Sequence, residues 1–180
     1  MRSIKEMTQI ELGAYVNSHL RDQGIQVVLS GGAAVAFYSS YKYVSGDIDF
    51  VNIYSLGNRE ITRIMAQMGF ERVGRHYKHP DSPNIIEFPP GPLTVGEEPV
   101  KEIQQVELET GRISIISPTD CVKDRLAAYY HWGDRQSLLQ AEWVAQSQDV
   151  DLDEIQRWSK GEGKTAEFKK IRNHLVKRTF

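Results

Sequence analysis

Residues 27 to 50 read VVLSGGAAVAFYSSYKYVSGDIDF, and this stretch decides the fold. The apolar run before Gly31-Gly32 reads as a buried strand ending in a tight turn. AAVAFYSSY begins with good helix formers and fits a short helix. DIDFV then alternates with a period of two, so Ile48 and Phe50 point to a core while Asp47 and Asp49 share the opposite face. Two residues along a strand is roughly 6.5–7 Å, a span over which two carboxylates can grip one divalent cation or bracket a metal pair. Taken singly, a Gly-Gly is most simply a turn and an Asp-x-Asp a polar strand face. In the order strand, Gly-Gly, helix, Asp-x-Asp strand, they point to a metal site, because like charges held side by side are most easily accepted when a cation neutralises them.

The third acid is sought on a neighbouring strand. Asn84-Ile85-Ile86-Glu87-Phe88 repeats the pattern, with Ile86 and Phe88 on one face and Glu87 on the other. In matching register beside the Asp-x-Asp strand, Glu87 would converge with Asp47 and Asp49. Asp81 competes, but it sits in a turn with no apolar neighbours to fix it.

Gly31-Gly32 followed by Ser45-Gly46-Asp47-Ile48-Asp49-Phe50 resembles the signature of the DNA polymerase β-like nucleotidyltransferase superfamily, nearest to its small bacterial AbiEii-like and uncharacterised members. The resemblance covers about residues 25 to 145 and is weak outside the motif. It implies an α/β (α+β) architecture, the minimal nucleotidyltransferase fold: a mixed sheet flanked by helices over residues 1–116, then a helical region over 117–180. It also implies two Mg2+ ions on Asp47, Asp49 and Glu87, with Glu87 helping to deprotonate the acceptor. A nucleoside triphosphate would lie on Ser30, Gly31, Gly32 and Ser45, where glycine lets backbone amides approach phosphate. SPTDCVKDRLAA resembles an AbiEii-like segment that packs behind the active site, with arginine in place of lysine. Either Lys123 or Arg125 would then reach a β- or γ-phosphate. Gly133-Asp134-Arg135-Gln136 departs from the acidic pattern expected there.

The remaining expectations are coarser. A chain of 180 residues with one cysteine, 40% hydrophobic and 26% charged, is ordinary globular composition without internal disulfides. The net charge of −2 gives no global drive toward nucleic acid or anionic lipid. No apolar stretch approaches the roughly 20 residues that span a bilayer, and no secretory segment opens the chain, so cytoplasm is expected. Helices are expected over 3–22, 58–68 (begun by Asn58), from Ser117, and over 134–147, 151–160 and 164–178. Strands are expected over 25–29, 70–77, 84–88, 99–108 and 111–116, with 89–98 as a connection. Trp143 and Trp158 are expected as packing anchors, and Asp151 and Asp153 as helix-capping acids. Arg75, His76, Lys78 and His79 form a basic tip that is either solvated or phosphate-facing. The last helix carries Lys164, Lys169, Lys170, Arg172, Lys177 and Arg178, a surface suited to RNA or an acidic partner.

These readings predict an enzyme moving a nucleotidyl group from an NTP to a hydroxyl acceptor. The alternative is a fold relative without catalysis that senses nucleotides or binds a partner, for example in a toxin–antitoxin pair.

Overall fold

The computed structural model describes residues 2–53 and 58–177. Helix α1 (Gln9–Asp22) starts at Thr8, whose side chain and Glu11 form a reciprocal capping box; a 3-10 turn at Ile4–Glu6 precedes it. The single helix expected over 3–22 is therefore broken, because Thr8 and Glu11 offer a better start than continuation through Met7. Strand β1 (Val27–Ser30) leads directly into α2 (Gly31–Tyr38), and β2 (Asp47–Asn52) follows. Helix α3 (Asn58–Gln67) buries Ile61, Ile64 and Met65; the capping role expected of the Asn58 side chain lies outside the described residues.

The strand expected over 70–77 is instead a hairpin of β3 (Glu71–Val73) and β4 (His76–Lys78), because Gly74 at φ +64° turns the chain. Strand β5 (Ile85–Glu87) comes next. The supposed connection contains a small hairpin, β6 (Thr94–Val95) with β7 (Glu98–Pro99). Strands β8 (Ile103–Leu108) and β9 (Gly111–Ile116) close the sheet, so the strand expected from 99 begins at Ile103. Among the described residues the seven-stranded sheet runs β3-β4-β5-β2-β1-β9-β8. It is mixed: β2 is parallel to β5 and β1 to β9, while the other neighbours are antiparallel.

Much of the core packs on one face of this sheet. Leu29 pairs with Phe50, Ile48 with Ile86, and Ile86 with Tyr77, and all are buried. Gly13 of α1 sits against Ile113, Phe50 and Ile48, where a side chain would crowd the packing. Ser117 caps α4 (Pro118–Trp132) with proline in its first turn, and Gly133, left-handed at φ +67°, ends it. Helices α5 (Arg135–Ser147), α6 (Leu152–Gly161) and α7 (Thr165–Leu175) follow. Asp151 caps α6 through the Glu154 amide. Trp158 is fully buried, whereas Trp143 is only partly so and is a lesser anchor than expected. On α7, Lys169 and Lys170 are exposed, Lys164 pairs with Glu167, and Arg178 lies outside the described residues.

Inside the helical layer, Lys123 is 1% exposed, and its Nζ lies 2.8 Å from Asp120 Oδ1 and 3.3 Å from Glu154 Oε1. Breaking a buried pair by removing one partner typically costs about 3–5 kcal/mol, because the remaining charge is stranded. Urea unfolding of Lys123→Ala is expected to show a loss of about this size. The double change Lys123→Met, Asp120→Asn should recover much of it.

Candidate active site

A polar row crosses four strands on the face opposite the core. Ser30 of β1 stands opposite Asp49 of β2, Asp49 opposite Glu87 of β5, and Glu87 opposite His76 of β4. Residues in register share a face, and adjacent strands are about 4.8 Å apart. The structure thus brings Asp49 and Glu87 side by side, with Asp47 two residues along the same face. The cause is the alternation in both strands: burying Ile48, Phe50 and Ile86 leaves the acids no other side.

The electrostatics agree with that geometry. The Asp49 carboxyl is pushed up to about 6 from 3.8, first by burial, then by the charges of Glu87 and Asp47, with Arg125 opposing. Oε1 of Glu87 lies 2.6 Å from His76 Nδ1, and its Oε2 lies 3.8 Å from Arg75 Nε. The His76 Nδ1 atom is buried and the approach is not aligned as a hydrogen bond. Arg75 of the basic tip is thereby drawn to Glu87, although its side chain is 84% exposed.

The glycine turn is built against Asp49. Gly31 opens α2 at φ +64°, and a Cβ there would come 2.6 Å from Asp49 Oδ2. A Cβ on Gly32 would come 2.8 Å from Ser45 Oγ. Ser45 is buried; its hydroxyl donates to the Asp47 carbonyl at 3.0 Å and accepts from the Asp47 amide at 3.3 Å. It braces the entry to β2 and is not among the residues that line the cleft described next.

Beside this row lies a cleft of ≈ 340 Å³. Ser30, Gly31 and Asp49 form one side, Asp124 and Arg125 of α4 another, and Pro89, Pro90, Pro92 and Leu93 a third. Arg125 is aimed by its neighbours: Nε donates to Asp124 Oδ2 at 3.0 Å and Nη1 to Gln140 Oε1 at 3.3 Å. Of the two basic residues left open by the sequence, Arg125 reaches the cleft. Lys123 does not, because it is enclosed between Asp120 and Glu154. The spacing Asp120-x-x-Lys123 on one helix face was the signal for that pairing.

Sequence reasoning missed Asp124, the meeting of His76 with Glu87, and the proline wall. Asp124 had no distinguishing pattern. The His76 contact required the β4–β5 register, which is set across the connection at 79–84. Asp81 stays in its turn, its amide donating to His79 Nδ1 at 3.1 Å.

As a cation site the donor set is open. Among the described residues no group of three His, Cys, Asp or Glu side chains is arranged to hold a metal ion. Mg2+ is commonly held by one or two carboxylates together with substrate phosphates and water, so an all-protein cage is not required. Asp47 and Asp49 are two such carboxylates on one face of β2, and the proton affinity of Asp49 is raised first by burial and then by its acidic neighbours. The residues fit Mg2+ as a half-site that substrate would complete.

The mixed sheet, the glycine turn and the flanking helices make up the nucleotidyltransferase fold. Solved structures of that fold superpose along most of the chain. The antibiotic-resistance factor ANT(2'')-Ia matches with a TM-score of 0.57 at 12% identity, covering 89% of this chain and 94% of that one. An antigenic nucleotidyltransferase-like protein from Paracoccidioides brasiliensis matches at 0.59 and 16%, covering 94% of each. The lincosamide antibiotic adenylyltransferase LnuA, solved with lincomycin, matches at 0.51 and 14%, covering 79% and 99%. At such identities the likeness is one of fold. No family model and no curated protein matches the chain.

Because Asp49 holds its proton more tightly folded than unfolded, its contribution to stability is complete below pH 3.8 and is lost as the pH rises through about 6. Urea unfolding across that window should show wild type losing stability relative to Asp49→Asn. Parallel curves would exclude the strained carboxylate. Gly31→Ala should lower stability by about 1–3 kcal/mol, since it forces a left-handed residue against Asp49.

Proposed function

We propose that the protein transfers a nucleotidyl group from a nucleoside triphosphate to an acceptor hydroxyl, releasing pyrophosphate. The observation that carries this reading is Asp49: a half-buried carboxylate pressed by two like charges and seated against a glycine that excludes any side chain. The adenylyltransferase named among the neighbours carries out chemistry of this class on an antibiotic. For this chain the acceptor is a hydroxyl compound of unspecified class.

In this mechanism the amides of Gly31 and Gly32, at the positive end of α2, receive the triphosphate, and Arg125 adds positive charge on the side of its outer phosphates. The acceptor oxygen approaches the α-phosphorus from the Glu87 side and forms the new P–O bond. The bond from that phosphorus to the α–β bridging oxygen breaks, and its electron pair departs with pyrophosphate. Glu87 takes the acceptor proton, with His76 2.6 Å away on the next strand. Asp47 and Asp49 would hold Mg2+, with Glu87 as the third carboxylate of a two-ion site; when bound, the ions neutralise the triphosphate and acidify the acceptor hydroxyl.

A second reading is a nucleotide-binding protein without turnover, such as a partner-binding or toxin–antitoxin component of AbiEii-like kind. The open donor set favours it, since no three candidate ligands close on one point among the described residues. Among those residues no helix is long and apolar enough to cross a membrane.

Incubation with Mg2+, each α-labelled NTP and cell extract should yield a labelled acceptor. The Asp47→Asn, Asp49→Asn variant should lose about 10³-fold or more in rate, as removal of several kcal/mol of charge stabilisation requires. Label that persists undiminished in the variant removes these residues from the chemistry. NTP binding with no label transfer supports the second reading. At pH 7.5 and ten times its dissociation constant, Mg2+ should stabilise wild type by about 1.4 kcal/mol and leave the double variant unchanged.

A further inference from the structure

The far end of the same sheet face carries a second cavity, ≈ 300 Å³, that the proposed reaction does not use. Its cause is a split in the sheet. Strands β1 and β9 are in register only at Leu29 and Ile115. Toward the start of β1 the gap is bridged by a side chain: the buried Asn17 of α1 donates to the Val27 carbonyl at 2.8 Å and accepts from the Ser114 amide at 3.3 Å. Over this bridge the cavity opens, walled by Val28, Ile53 and Ile103, with Gln26 and Gln105 as neutral polar groups.

Two arginines enter it, Arg21 from the last turn of α1 and Arg112 from β9, and among the described residues no carboxylate lines it. Both are about half exposed, and neither is paired with a buried acid. Arg21 Nη2 comes no nearer than 3.9 Å to Asp22, and Arg112 pairs with the exposed Glu107. Surface pairs of this kind are worth little and exchange readily for a better anion. Planar guanidinium groups are suited to phosphate, which they grip with paired N–H donors. The aliphatic wall and the amides beside them suit a small organic body, and the volume lies at the lower end of small-molecule pockets.

We infer that this cavity is a binding site for a phosphate group, free or carried on a small organic molecule, held by Arg21 and Arg112. It lies off the polar row: Val28 pairs with Val51, two residues along β1 from the Ser30–Asp49 pair. Its occupant therefore sits beside the cleft and leaves the glycine turn open. The site stands independently of the proposed transfer reaction.

The test is a titration of the full chain, followed by amide NMR shifts, with inorganic phosphate, ribose 5-phosphate and ribose, without NTP. The two phosphates are expected to shift the amides of Gln26, Val28, Arg112 and Ser114, and ribose to leave them unmoved. Tighter binding of ribose 5-phosphate than of inorganic phosphate assigns the site to a phosphate ester; equal binding assigns it to free phosphate. The Arg21→Gln, Arg112→Gln variant should bind at least tenfold more weakly, and the corresponding double lysine variant should recover part of the loss. Both arginines are at the surface, so the variant's spectrum should remain dispersed and its nucleotide transfer unchanged. The inference is overturned if shifts are confined to Gly31, Gly32 and Arg125, if ribose binds as well as its phosphate, or if the glutamine variant binds undiminished.

Discussion

The repulsion among three carboxylates on one sheet face is the constraint to which the rest of the structure answers. Asp47, Asp49 and Glu87 are brought onto one face by the parallel register of β2 and β5, and the proton affinity of Asp49 is raised, first by burial and then by the charges of Glu87 and Asp47. What holds them is on the other side of the same strands. Ile48, Phe50 and Ile86 are each at most 1% exposed, and burying one such side chain is worth about 1.5–3 kcal/mol. A slip of one residue would relieve the acids only by turning every one of these groups to water. The apolar face therefore wins, and the charge is left to be answered by a ligand.

The cleft beside the row depends on the helical layer in a less obvious way. Its proline wall leads into the β6–β7 hairpin, and that hairpin is fastened to α6. Trp158 Nε1 donates to the Val95 carbonyl at 3.2 Å, Arg157 grips Glu98, and the Glu97 amide donates to Glu162 Oε1 at 3.2 Å. Gly96 is left-handed at φ +58°, and a side chain there would strike Glu162. Thus α4 supplies Arg125 to one side of the cleft while α6 sets the position of the other. The division at residue 117 marks a change of secondary structure, but the walls of the cleft draw on both parts.

How much of this was legible follows from the range of the forces involved. The alternation in DIDFV and NIIEF exposes which face each acid takes, because burial acts on every second residue. The glycine turn and the caps of α4 and α6 are equally local, and they stand in the structure where the sequence placed them. Lys123 and Arg125 differ in fate because Lys123 meets Asp120 on its own helix and Glu154 on another. Only the first of those contacts is written in the spacing. The split between β1 and β9, the proline wall and the approach of His76 to Glu87 arise from pairings far apart in the chain. No local pattern encodes them. The grip of Arg157 on Glu98 is likewise a contact between residues far apart in the chain.

The row is also asymmetric, and the asymmetry orders the proposed reaction. Toward β1 it ends at backbone amides and the guanidinium of Arg125, groups that stabilise a departing polyanion. Toward β4 it ends at Glu87 and His76, groups that accept a proton. A displacement at phosphorus needs its nucleophile and leaving group on opposite sides, and the sheet separates the two kinds of group by its strand spacing. In the proposed reaction the direction of transfer would follow from which strand carries which residue, with Asp49 at the centre because both halves must act on the same phosphorus.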